Sequence, residues 1–251
     1  MSGEWEAVTS LPSLESHELQ LWRIHLNDTT GDPNTSYRQF LSTPELDRSD
    51  RFRAAQVRLQ FIVARACLRI LLGNLLNLPP HRVPITLSVY GKPETNEIGN
   101  PPFFNVAHSR DTILIALSGS GSVGVDLEYL DRDTDILEVA RHSFTEFELG
   151  QITQISNPFA QRQAFFRCWT RKEAVLKADG RGLSLALNSI EVPVHAPAAS
   201  IPVLIASAES PNTWFVTDIA LGQEIAGAFA AALPGLVPRT LSFPIELLPG
   251  R

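Results

Sequence analysis

Lysine is nearly absent from this chain. Only three occur, Lys92, Lys172 and Lys177, among 21 basic residues. Cysteine is as scarce. Cys67 and Cys168 lie far apart in helix-like stretches, so no disulfide framework and no paired metal-ligand spacing is available. Basic charge is outnumbered, 21 to 27, for a formal net charge of −6, which excludes a general nucleic-acid coat but leaves room for a local basic pocket. The opening MSGEWEAV lacks the basic and apolar regions of a signal peptide. The longest late apolar stretch, 225–238, is too short and too broken by Pro and Gly for a membrane helix. A soluble, cytoplasmic protein with no nucleic-acid and no membrane partner is expected. The GxxxxGK[ST], GxGxxG and GxSxG patterns are missing, which removes the P-loop, the dinucleotide fold and the serine elbow.

What is present supports a packed core. Hydrophobic residues make up 44% of 251 and charged residues 19%, far from the composition of disorder. Ser42 or Thr43 reads as a helix cap, with Pro44 and Glu45 in the first turn. From Arg51 a long amphipathic helix is expected, its stripe running Phe52, Leu59, Ile62, Val63, Ala66, Ile70 and Leu71, ending at Gly73 or Asn74. Arg53, Arg58, Arg65 and Arg69 lie around its polar side. ITLSVY, FFNVAHS, TILIALS and VGVDLEYL read as strands, residues 133–156 as one or two short helices, and 158–178 as a longer helix stopped before Gly180 and Gly182. PVLIAS and WFVTDIA are later strands. Helix followed by strands occurs in each half, without a sharp repeat, and a boundary is expected near residue 120. Regular βα alternation is missing, so the expected class is α+β rather than a doubly wound sheet.

Chemistry concentrates in few places. In VGVDLE, strand alternation turns Asp126 and Glu128 to one face while Val123, Val125 and Leu127 face the other. Glu173, on the later helix, is a third carboxylate, and three carboxylates suit a hard cation such as Mg²⁺ better than Zn²⁺. In WTRKEAVLK, Trp169, Glu173 and Lys177 follow i, i+4, i+8, with Lys172 one residue from Glu173, so the group is expected along one cleft wall. The competing view is an ordinary core Trp beside a surface Glu–Lys pair. Lys92, in the GKP turn, and the other two lysines suit phosphate oxygens, since a compact ammonium is a point charge. His108, near Asn105 and Ser109, is either a satisfied loop histidine or a phosphate or ribose ligand.

Together, GKP at 91–93, FNVAHS at 104–109, VGVDLE at 123–128 and WTRKEAVLKADGRGL at 169–183 resemble the Sfp-type 4'-phosphopantetheinyl transferases, over about residues 40–190. The resemblance implies two similar α/β-sandwich-like subdomains, 1–120 and 121–251, in a pseudo-twofold arrangement with the cofactor cleft between them, and a monomer. It implies transfer of 4'-phosphopantetheine from coenzyme A to a serine of an apo acyl or peptidyl carrier protein, with Mg²⁺ held by Asp126, Glu128 and Glu173. Lys172 and Lys177 match phosphate ligands, Lys177 beside the leaving group. Lys92 and His108 match positions around the adenine ribose and its 3'-phosphate, and Arg48 and Arg51 a basic patch near that phosphate. Trp169 matches a residue that shapes the pocket, and Glu173 a base for the carrier serine, directly or through water. Two positions depart from the pattern: Ala107, where serine is frequent, and Gln60, where arginine is. A non-catalytic carrier-binding module and a Mg²⁺-dependent phosphodiesterase acting on coenzyme A are the competing functions.

Overall fold

The computed structural model describes residues 5–29, 32–95, 102–195, 199–205 and 212–244. Its elements run β1 (Glu6–Ala7), β2 (Leu19–His25), α1 (Pro33–Ser36), α2 (Thr43–Asp50), α3 (Ala55–Leu76), β3 (Ile85–Leu87), β4 (Pro93–Thr95), β5 (Phe103–Ser109), β6 (Thr112–Ser118) and β7 (Val123–Tyr129). Then follow α4 (Ile136–Ser143), α5 (Glu146–Thr153), α6 (Pro158–Asp179), β8 (Ile201–Ile205), β9 (Asn212–Asp218), β10 (Ile225–Ala231) and β11 (Arg239–Ser242).

The strands form one sheet in the order β1-β11-β2-β6-β5, a second in the order β7-β10-β9-β8, and the hairpin β3-β4. Strand alternation explains how they stack. Trp22, Ile24, Ile113, Ile115 and Leu117 face Ile62, Val63, Ala66 and Leu68 of α3. Leu19, Leu21, Leu114 and Ala116, on the opposite face of the same sheet, meet Val123, Val125, Leu127 and Phe229 of the second sheet. Ala228 and Ala230, on that sheet's far face, meet Phe165, Phe166, Ala174 and Val175 of α6. The molecule is thus layered as helix, sheet, sheet, helix, with two similar α/β halves. TILIALS is apolar throughout because β6 is buried on both faces.

The start of α2 carries the expected capping box, in which the Ser42 N–H donates to Glu45 at 3.0 Å. Helix α3 starts later and ends later than its sequence suggests. Arg51 closes α2, and α3 runs on past Gly73 to Leu76, where Asn77 turns left-handed at φ 53°. Gly73 is a packing glycine: a Cβ there would lie 2.7 Å from the Leu78 carbonyl oxygen. By length and composition α3 could cross a membrane, but most of its apolar side chains are buried or partly buried against the first sheet. Helix α6 matches its expected span and stops at Gly180, φ 87°.

The change from first to second sheet falls between β6 and β7, at residues 119–122. The chain does not stay divided there. Strand β11 returns to the first sheet and lies parallel to β2 and β1. The Pro/Asn/Gly-rich loop expected after GKP falls at 96–101, outside the described residues, as do the last two residues of PVLIAS.

Candidate active site at the junction of the sheets

Strand β7 and helix α6 lie against each other because Gly124 has no side chain. A Cβ there would meet the Ala174 carbonyl oxygen at 2.0 Å and the Ala178 nitrogen at 2.3 Å. Two residues further along the same face, Asp126 meets Lys177, whose Nζ donates to Oδ1 at 2.6 Å and to the Val125 carbonyl at 3.2 Å. Asp126 is buried and its Oδ2 has no hydrogen-bond partner. Burial pushes the Asp126 carboxyl up to about 6, against the pull of Lys177, while Glu173 and Glu128 add to the rise.

Glu128 accepts from Ser109 Oγ at 3.0 Å and from Arg132 at 2.7 Å. Glu173 faces open space and makes no hydrogen bond or ion pair among the described residues. Its carboxyl also sits above the ordinary range, first through burial and then through Glu128, with Lys177 opposing. The carboxylates expected together do share one neighbourhood. They are not gathered as a ready metal cluster: among the described residues no group of three His, Cys, Asp or Glu is placed to hold an ion.

Glu173 and Lys177 line a pocket of about 340 Å³ with Lys92, Pro93, Asn105, Val106, Gly180 and Gly182. Pro93, Asn105 and Val106 also line a neighbouring pocket of about 200 Å³ that holds Arg48, Phe61, Arg65 and His108. The two form one cleft, with walls from both halves of the chain. Asn105 ties those halves together, its Oδ1 accepting from the Val125 N–H at 3.0 Å. Lys92 reaches across as well, donating to Ser122 Oγ at 2.7 Å and to the Ala178 carbonyl at 3.1 Å. Burial lowers the Lys92 ammonium to about 8. His108 is drawn below its usual value by partial burial and by the Lys177 charge.

Several expected residues stand elsewhere. Lys172 is fully buried against Glu148 and has no open face toward the cleft. Arg51 is exposed at the end of α2 and lines neither pocket. Trp169 stacks on Phe165 in the core, at 6.1 Å between centroids. The i, i+4, i+8 progression drifts: eight residues make two turns plus about 80°, enough to carry Trp169 off the face of Lys177. The two departures from the family pattern also find places. Ala107 packs in the contact between the sheets and lines neither pocket, and Gln60 donates to the Arg110 carbonyl.

Arg65 is the site residue that the sequence reading left on the polar side of α3. It lies over the Phe61 ring at 5.8 Å, with Arg48 over the same ring at 5.2 Å. Its only ion pair among the described residues is with Glu45 at 3.9 Å, and Glu45 is engaged more closely by Arg69 at 2.5 Å. Burial, with Arg48 and Arg69 nearby, works against its charge. A pocket with two arginines and a histidine is built for an anion. The signal in the sequence was the arginine-for-lysine bias at one helix turn, which by itself does not say which arginine faces inward.

Residues 122–232 match the family model for the 4'-phosphopantetheinyl transferase superfamily. The 4'-phosphopantetheinyl transferase HetI of Nostoc is 32% identical over 235 residues, 90% of this chain and 93% of that protein. A relative from Synechocystis sp. carrying the same family name is 36% identical over 155 residues, which is 61% of this chain and 63% of its own length. The 4'-phosphopantetheinyl transferase Sfp of Bacillus subtilis is 24% identical over 164 residues, 65% of this chain and 71% of that protein.

Proposed function

This chain belongs to the 4'-phosphopantetheinyl transferase superfamily, and we propose that the cleft between its two sheets is where transfer takes place. The reaction moves 4'-phosphopantetheine from coenzyme A to a serine of an apo carrier protein. The serine oxygen forms a bond to the phosphorus that carries pantetheine, the bridging P–O bond breaks, and 3',5'-ADP leaves with the electron pair. The carrier supplies the nucleophile, which accounts for a site without a serine elbow. The observation that carries the reading is the juxtaposition of Glu173, Lys177 and Asp126 at one end of a cleft whose other end holds Arg48, Arg65 and His108.

That layout fits a long substrate with anionic groups along it. Arg48, Arg65 and His108 take the phosphate on the adenosine side, and Lys92 is a further cofactor-binding cation on the wall it shares with Glu173 and Lys177. Lys177 neutralises the charge that develops on the departing diphosphate oxygen. Glu173, which makes no hydrogen bond or ion pair among the described residues, receives the serine proton, directly or, where it also holds a metal ion, through a water.

The donor set also suits Mg²⁺. All three carboxylates offer hard oxygen, and Asp126 Oδ2 is buried with nothing to bond. Asp126, Glu128 and Glu173 would hold the ion, which would offset diphosphate charge during P–O cleavage. Every cleft group comes from one chain, which supports a monomer.

The test is direct. The protein is incubated with coenzyme A, Mg²⁺ and apo carriers of the fatty-acid, polyketide and non-ribosomal peptide types, and the intact carrier mass is measured. A phosphopantetheine adduct on at least one carrier is expected. Hydrolysis of coenzyme A without carrier would favour the phosphodiesterase instead, and carrier binding with no adduct on any of them would favour the non-catalytic module.

A further inference from the structure

Of the three lysines, Lys172 is the one that the transfer chemistry does not reach. Its Nζ lies 2.7 Å from Glu148, donates to the carbonyls of Leu187 (3.0 Å) and Ile190, and sits 5.3 Å from the centre of the Phe144 ring. Both partners of the ion pair have fully buried side chains. Glu148 has further work: it accepts from the Thr145 N–H and from the Val192 N–H, each at 2.8 Å. One ion pair therefore ties α6 to α5, to Thr145, which caps α5, and to the segment 187–192.

Such a pair is a poor way to gain stability alone. Desolvating two charges offsets most of their attraction, and a well-packed apolar pair often serves as well. What this pair does hold is position. Lys172 immediately precedes Glu173, and a residue on a helix is displaced from its neighbour by about 100°. Fixing Lys172 in the core therefore fixes where Glu173 and Lys177 point. The tethered carbonyls of Leu187 and Ile190 belong to the chain that leaves α6 through Gly180 and Gly182, which line the cleft. An apolar replacement of Lys172 would leave both carbonyls without this donor.

We propose that Lys172, with Glu148, is a positioning residue for the transfer reaction: it locks the rotation of α6 and anchors segment 180–192, so that Glu173 and Lys177 face the bound diphosphate. It contacts no phosphate. This rests on the transfer activity assigned above.

The experiment compares wild type with Lys172→Met, Lys172→Arg and Glu148→Gln. Coenzyme A affinity is read by calorimetry, turnover at saturating coenzyme A by carrier mass, and folding by thermal melting, all well below the melting point. In the variants that fold, turnover should fall about tenfold or more while coenzyme A affinity stays within about threefold, with Glu148→Gln showing the same split. A tenfold loss of affinity with turnover retained would make Lys172 a phosphate ligand and overturn the proposal. Wild-type turnover in the folded variants, or failure of all three to fold, would make the pair purely structural and overturn it as well. Absence of transfer by the wild type is a different result, and it would count against the function rather than against this role.

Discussion

Helices α3 and α6 are each 22 residues long, and each packs one face onto a sheet. They bring opposite chemistry to the shared cleft. The α3 side supplies arginines, with Arg48 and Arg65 over the Phe61 ring, and a planar guanidinium suits phosphate oxygens. The α6 side supplies Glu173 and Lys177 beside Asp126, where two carboxyls are displaced upward by burial. Fixed charge suits ground-state binding of a phosphate. A carboxyl displaced upward suits proton transfer, and the Lys177 ammonium suits a charge that develops in the transition state. The two halves share an architecture, and the division of labour lies in which side chains their helices turn inward.

The strongest break of this comparison is Glu173→Gln. Size is kept and proton acceptance is lost, so turnover should fall by about 10²- to 10⁴-fold in the carrier mass assay, with the melting temperature little changed. Turnover near wild type would remove Glu173 from the mechanism. Lys177→Ala should cost turnover about 10²-fold, more than it costs coenzyme A affinity, since its charge is needed most as the diphosphate leaves.

Gly124→Ala tests the frame rather than the chemistry. The added methyl has backbone on its far side, not a movable side chain. Overpacking of this kind costs about 1–3 kcal/mol or more, visible as a lowered denaturant midpoint. An unchanged midpoint would mean that α6 does not lie this close to β7.

On the α3 side, Arg65→Ala should weaken coenzyme A binding about 10- to 100-fold by calorimetry, through loss of a charged hydrogen bond of about 1.5–3 kcal/mol, with turnover at saturation affected less. Equal loss of affinity and turnover would sink the division between the helices.

The smallest effect concerns pH. Lys92 is held near 8 by burial, below the ordinary lysine value of 10.5. Between those values the unfolded chain binds more protons than the folded one, so this lysine favours folding as pH rises from about 8 toward 10.5. Coenzyme A affinity should move the other way, weakening several-fold as pH rises through 8 while the ammonium is lost. Lys92→Arg keeps its charge and should flatten that profile. A profile equally steep in the arginine variant would place the titrating group elsewhere.

Much of this was legible in residues whose neighbours in space are also neighbours in sequence. Alternation in VGVDLE put Asp126 and Glu128 on one face, and the run from Pro158 to Gly180 announced a helix. Lys172 was misplaced because its partner, Glu148, sits on another helix, and nothing within one turn of Lys172 declares it buried. Arg65 was hidden by numbers, one arginine among several on a polar stripe. Strand β11 was missed because RTLS is short and only Leu241 is buried; its pairing with β2 depends on a return across the whole chain. Gly124 was in plain view inside VGVDLE, but its role appears only when the backbone of α6 is set against it.

The measurement that bears most directly on the central claim is calorimetric titration of coenzyme A into Glu173→Gln, with the same preparation assayed for carrier modification. Binding at the α3 end and chemistry at the α6 end predict affinity within about threefold of wild type alongside turnover reduced at least about 10²-fold. Affinity lost in step with turnover would contradict the account, because Glu173 would then be part of the binding surface rather than the reacting end of the cleft.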